Sequence, residues 1–409
     1  MEAVRRRARF RPAAAATRVR ERRGAETRVD WIALATWSAV IAVMRMPTTV
    51  PVSWRYFNQA AALAFGGLRS HGHIVGLHLY HVIPADQFGP LSVLAAQVLR
   101  ELGGSHVVIV AHVVVLAAGL GVLWLLADAA DHVASRYFLS RGGFLFAGGS
   151  FLLEWDHLAL QSLHIDDVIA IVCVAFAIHA IARRSSWWWA ATAIGAATAA
   201  KPWAIMFLPL LAAVPYGRRR IASAIAVFLG LAVWAPFVVA DPKTLLAAHY
   251  TIPVDAGSVL RLVGVAARRT PRWDRLAQFG AALALGLAAV RLRRWQGVAL
   301  VVVAVRIMLD PSARSYYTTG FVFAALVWDL LQPRWRWPLA TLSVVLLLEL
   351  PPALSATPTV AALFRLIACV GAIAAVLANP TRSNNEAPPS DKHVVLYAGA
   401  RADSGLRRA

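Results

Sequence analysis

Apolar residues in this chain come in long blocks, separated by short clusters of arginine, proline, aspartate and histidine, with no sustained alternation and no narrow helical stripe. Blocks close to the length that crosses a ~30 Å hydrocarbon core predict helices immersed in lipid. The pattern places spans at 31–50, 104–127, 142–158, 164–184, 221–240, 276–290, 297–309, 316–331, 338–350 and 359–378. Between Arg184 and Arg218 the apolar run is broken at Lys201 and Pro202, which predicts two short helices in a hairpin, with the Lys201 turn in a water-filled recess. The total is about twelve transmembrane helices.

Two stretches do not fit a span. Residues 51–103 predict a long first external loop whose YFNQAAALAFGGL and PLSVLAAQVLRELGG pieces lie in the interface as short amphipathic helices. Residues 241–274 predict a second external loop. Arginines at 136, 141, 183, 184, 218–220, 291, 293, 294, 334 and 336 fall at one set of span ends, and the positive-inside rule makes those ends cytoplasmic. Both termini are then cytoplasmic. The organisation expected is a disordered basic tail over 1–30, a transmembrane domain over 31–378 and a disordered polar tail over 379–409.

Composition agrees. Hydrophobic residues make up 59% of the 409 residues and charged residues 15%, and the mean hydropathy is +0.60, more apolar surface than a soluble core of that size buries. The fold class is all-α, a polytopic integral membrane protein of the cell membrane. The net charge of +20 follows from arginines flanking the spans, so a nucleic-acid partner is not implied. The two cysteines, Cys173 and Cys369, lie in apolar runs and offer neither a disulfide framework nor a metal knot. No glycine-rich phosphate loop marks a nucleotide site, and no cofactor is expected.

Ionisable groups near the outer ends of the spans are the functional candidates, because charge at that depth is costly unless it works or is paired. The richest stretch is HGHIVGLHLYHVIPADQFGPL from His71, which holds four histidines and Asp86. Glu154, Asp156, His164, Asp166 and Asp167 lie at the outer ends of the third and fourth spans, and Lys201 in the recess. Arg261, Arg268, Arg269, Arg272 and Arg275 belong to the second loop, where so much positive charge asks for an anion such as a phosphate. Arg306, Asp310 and Arg314 follow. His71, His73, His78 and His81 have ligand-like spacing, but loop histidines at an interface more often hydrogen-bond, and no metal is expected.

The long first loop with its GPL motif, HIDDVIAI at a helix entrance, KPWAIMFLPLL and DPSARSYYTTGFVFAALVWDLL together resemble the GT-C polytopic glycosyltransferases. Within them the pattern is most similar to the actinobacterial polyprenyl-phosphate-mannose-dependent alpha-mannosyltransferases. The likeness covers most of 31–378 as architecture. It implies an extracytoplasmic site in which a first-loop carboxylate acts as base, a sugar arrives on a polyprenyl phosphate, and the acceptor is a glycolipid or glycan of the cell envelope. The early acid usual in that family is absent, since SWRYF offers Ser53, Trp54 and Arg55, so the base is assigned to Asp86. Substrate contacts are assigned to His78, Tyr80, His81, Gln87, His164, Asp166, Asp167, Lys201, Arg261, Arg314, Tyr316 and Tyr317. A lipid-linked sugar or small-solute transporter or flippase, and a catalytically silent GT-C relative, are the competing readings.

Overall fold

A computed structural model describes residues 11–67, 69–70, 73–133, 139–332 and 335–378, with side chains described from 28 onward except at 69, 70 and 73. The chain divides into Met1–Leu377 and Ala378–Ala409; the tail expected over 379–409 lies outside the described residues. The architecture is helical. Its strands are a two-residue antiparallel pair, β1 (Arg69–Ser70) and β2 (His73–Ile74), with Arg69 opposite Ile74.

In chain order the helices are α1 (Arg11–Arg45), α2 (Val52–Phe65), α3 (Leu79–Val82), α4 (Pro90–Gly103), α5 (Val107–Val133), α6 (Arg141–Asp156), α7 (Ile165–Ala182) and α8 (Trp187–Ala200). There follow α9 (Arg219–Ala232), α10 (Ala235–Ala240), α11 (Val259–Leu262), α12 (Asp274–Arg291), α13 (Val298–Leu309), α14 (Tyr317–Leu331), α15 (Leu339–Ala353) and α16 (Pro358–Leu377). Helix α1 begins at Arg11, so the basic segment expected as a disordered tail to residue 30 is helical from there onward.

Among the described residues, three stretches are long and apolar enough to cross a membrane: Pro90–Val133, Ile165–Ala182 and Pro358–Leu377. Shorter apolar helices cover Pro202–Ala213, Trp295–Leu309, Tyr317–Leu331 and Leu339–Ala353. The first stretch unites what the hydropathy pattern separated into an interface helix and a span. It bends at Gly104, whose φ of 49° is open to glycine at little cost.

Small residues set the helix spacing, as they do where apolar helices must approach without a hydrophobic driving force. A Cβ on Gly119 of α5 would stand 2.3 Å from the Trp155 ring of α6, and that indole donates back to the Val115 carbonyl at 2.7 Å. Helices α8 and α9 cross at Gly195 and Gly230, where added methyl carbons would meet Leu229 and Thr198, each at 2.8 Å.

At the arginine-bearing ends, Arg141 pairs with Asp30 at 2.6 Å and His179 with Asp128 at 2.8 Å. Arg294, expected at a cytoplasmic span end, is buried and donates to the Val376 and Leu377 carbonyls at 2.5 and 3.1 Å. It closes the end of α16, whose last carbonyls have no helical partner. Asp329 of the VWDLL segment likewise caps α15, accepting from the Thr341 amide and hydroxyl at 2.7 and 2.9 Å.

Candidate functional site

The entrance to α7 is built by a local backbone irregularity. Helix α6 widens into a π-turn, His157–Ser162, and stops at Leu163, which takes a left-handed φ of 47°. Such a turn in a non-glycine residue is uncommon and π-turns recur at functional sites. Its effect is to deliver His164 and the acids of the first turn of α7 side by side. His164 Nδ1 lies 2.9 Å from Asp166 Oδ1 and 3.4 Å from Asp167 Oδ2.

Opposite them stands Lys201. Pro202 drives the preceding residue out of the helical region, so α8 stops and Lys201 adopts an extended backbone, φ −137° and ψ 104°. The hairpin expected between Arg184 and Arg218 is thereby formed by α8 and the 3-10 segment Pro202–Ala213. Lys201 Nζ donates to Asp166 Oδ2 at 2.5 Å and to Asp167 Oδ2 at 3.1 Å. The recess expected to leave this lysine free for a phosphate instead closes it onto two carboxylates, with its side chain 13% exposed. Pairing is what makes three ionised groups tolerable here. Tyr316 lies on the His164 ring at 4.1 Å between centroids, and Tyr317 on Tyr316 at 4.8 Å.

Helix α13 adds a second charge group. Arg306 Nη1 lies 2.5 Å from Asp310 Oδ2 and donates to Gln278 Oε1 at 2.8 Å, while Gln278 Nε2 donates to Asp274 Oδ2 at 2.8 Å. The guanidinium also sits over the Trp203 and Tyr317 rings, at 5.2 and 5.7 Å, a favourable cation–π arrangement. Between α7, α13, α14 and the Pro202–Ala213 segment opens a narrow apolar cleft. Ile171, Val174, Phe207, Val303, Ile307 and Phe323 make most of its wall, and Asp167, Trp203, Arg306, Tyr316 and Tyr317 supply its polar groups. The Trp203 Nε1–H is buried, and among the described residues it has no acceptor. An apolar cleft with a few convergent polar groups is the ordinary form of a ligand site.

The Asp86 loop is fastened to the same turn. The Gly89 amide donates to the Ala200 carbonyl at 2.7 Å, and Ser92 Oγ donates to that oxygen at 3.0 Å. A Cβ on Gly89 would fall 2.0 Å from the Ala199 carbonyl oxygen, which gives the GPL motif a physical reason: only glycine lets the two backbones meet. Phe88 packs on Phe57 at 4.5 Å, and Phe57 on His164 at 6.0 Å. Asp86 is 5% exposed, and among the described residues no donor meets its carboxylate. Burial raises its carboxyl from 3.8 to about 7.

Other first-loop residues turn away from the cleft. Tyr80 is fully buried in a box formed by Trp234 and Phe237, at 4.6 and 5.1 Å, so it has no surface for the substrate contact expected of it. Burial and then the Asp86 charge push its hydroxyl well above the ordinary value. His78 and His81, also expected on substrate, aim their Nδ1 atoms at Asp241 Oδ2, at 3.2 and 2.7 Å. The His78 hydrogen bond, with the Lys243 amide and His81 behind it, holds the Asp241 carboxyl below its ordinary value. Gln87 Nε2 donates to the Tyr250 carbonyl at 3.1 Å. His71 and the His73 side chain lie outside the described residues.

These contacts latch the first loop to the second. Hydrogen bonds of this kind contribute about 0.5–1.5 kcal/mol each, so Asp241→Ala should speed amide exchange over 76–87 and 241–250 by about tenfold, with α5 and α7 unaffected. Unchanged exchange in both loops would remove the latch.

Arg261 and Arg314 are exposed and come from neighbouring segments. The Asp255 amide donates to the Pro311 carbonyl at 2.8 Å, and Asp255 Oδ2 accepts from the Ala313 amide at 3.1 Å. The geometry thus unites His164, Asp166, Asp167, Lys201, Tyr316 and Tyr317, with the Asp86 loop pinned beside them. Asp241, Trp203 and Gln278 were not expected as site residues. The only sequence signal for Gln278 is a polar residue within an apolar block. Comparison with protein-family models, curated proteins and solved structures returns no match for this chain, so the function is argued from the site alone.

Proposed function

We propose that the protein is a polytopic membrane glycosyltransferase, GT-C-like, with about twelve spans, both termini cytoplasmic and the Asp86 loop on the outer face. It moves a sugar, in our reading mannose, from a polyprenyl phosphate to a glycolipid or glycan acceptor. The observation that carries this reading is the apolar cleft that ends on a guanidinium, two tyrosines and an indole N–H without an acceptor. That combination suits an amphiphile with an oxygen-rich anionic head, the prenyl chain lying along Ile171, Val174, Phe207 and Phe323.

The chemistry follows from Asp86. A carboxyl titrating near 7 is substantially ionised at neutral pH and still basic enough to accept a proton in the transition state. The acceptor hydroxyl oxygen bonds to the sugar's anomeric carbon, its proton passes to Asp86, and the anomeric carbon–oxygen bond to phosphate breaks to release polyprenyl phosphate. Arg261 and Arg314, both exposed, are the charges we assign to stabilising the departing phosphate. Arg306 adds to this from inside, because Asp310 and Gln278 both meet it at one nitrogen, Nη1.

The test is transfer itself: purified protein in lipid, supplied with polyprenyl-phosphate-mannose and a membrane glycolipid extract, should yield an acceptor heavier by one hexose. No such product from either pool would end the transferase reading. Within that assay Trp203→Phe, which keeps the ring and removes the N–H, should raise the donor KM about three- to tenfold with kcat unchanged, the loss of one hydrogen bond. An unchanged donor KM would show that the head group lies elsewhere.

A further inference from the structure

We propose that His164, Asp166 and Asp167 form a cation site that the Lys201 ammonium fills in the native chain, and that a first-row divalent ion takes its place once that side chain is removed. One ligand atom from each of the three residues lies within 4.8 Å of the others. This imidazole and two-carboxylate set suits first-row divalent ions such as Mn²⁺, Co²⁺ and Zn²⁺. Ligands on such an ion sit about 2.0–2.2 Å from it, so a small closure of these atoms would supply three ligands, with water filling the remaining positions. Lys201 Nζ already occupies the position between the carboxylates, 2.5 Å from Asp166 Oδ2 and 3.1 Å from Asp167 Oδ2.

The ammonium is held there by the backbone. The Lys201 amide donates to the Ala197 carbonyl at 2.8 Å, and the Lys201 carbonyl accepts from the Ala204 amide at 2.8 Å. Asp166 Oδ1 is taken by the Asp167 amide at 2.9 Å and by His164 Nδ1 at 2.9 Å. The lysine therefore arrives on a fixed stem at carboxylates that are themselves oriented. A free ion would have to displace a tethered positive charge from the same two oxygens, at a cost in Coulomb repulsion. The native site consequently does not take up divalent ions, and removing the lysine side chain vacates it. This inference concerns cation binding and holds whether or not the protein transfers sugar.

The experiment titrates Co²⁺ into the full-length protein in nanodiscs, reading the visible absorption of the bound ion together with the melting temperature. Wild-type protein should show no titration that depends on Asp167. Lys201→Ala should bind one Co²⁺ at least about tenfold more tightly than wild type, melt higher with the ion than without it, and lose both effects when combined with Asp167→Asn. Lys201→Gln, which keeps the length of the stem without the charge, is titrated in parallel. Folding of either variant only when Co²⁺ is present during purification would be the same result in another form. Unfolding that Co²⁺ does not repair, a folded Lys201→Ala protein that binds no more Co²⁺ than wild type, or wild-type binding abolished by Asp167→Asn would each overturn the proposal.

Discussion

Asp86→Asn should lower transfer by about 10²- to 10⁴-fold, the usual loss when a general base is removed, and should make the protein more stable at pH 8. The two effects have one cause. The carboxyl sits at about 7 in the folded protein against 3.8 for the free group, so between those values the native chain holds a proton that the unfolded chain has released. Stability therefore falls as pH rises through that window and is level above it. Asparagine has nothing to ionise. The variant should gain an amount on the order of a few kcal/mol above pH 7 and almost nothing at pH 4. Melting curves of both proteins at the two pH values, beside their kcat, check it. In wild type, kcat should rise with pH across an acid limb near 7. A variant that keeps a third of its turnover would move the base to Asp166 or Asp167.

Gly89→Ala should be nearly as damaging without touching a reacting group. A methyl 2.0 Å from the Ala199 oxygen cannot be accommodated by a side-chain rotation, because the obstacle is backbone. The loop must lift, and the Gly89 and Ser92 bonds to Ala200 are lost with it. That frees the segment carrying Asp86 from its anchor, and a misplacement of about 1 Å in such a group costs on the order of 10²-fold in rate. Amide exchange should quicken over 83–92 while α5 stays protected. Normal turnover would mean that the contact with Ala200 does not position the base.

Some of this was legible in the sequence and some was not. Asp86 stood out as one of two acids, with Glu101, between Asp30 and Asp128; the break at Lys201–Pro202 followed from what proline does to the residue before it. Those are local signals. The partners of Lys201 lie 34 and 35 residues away and Asp241 lies 163 residues from His78, and nothing in an apolar block states which neighbour it will meet. Lysine in an apolar hairpin reads as a free cation until its carboxylates are located. His78 and His81 read as substrate contacts until an aspartate from the other loop is found against both. The Trp203 indole was indistinguishable from the chain's other tryptophans by type alone, and its unpartnered N–H emerges only where the cleft closes around it.

In the proposed function the cleft serves covalent transfer and not passage. Proteoliposomes loaded with labelled polyprenyl-phosphate-mannose and an acceptor glycolipid allow both to be scored at once, the product by mass and the movement of labelled donor across the bilayer by its accessibility from outside. A transferase should give hexosylated acceptor that requires Asp86, with donor movement no faster than in protein-free vesicles. Movement of donor with no product formed would contradict it.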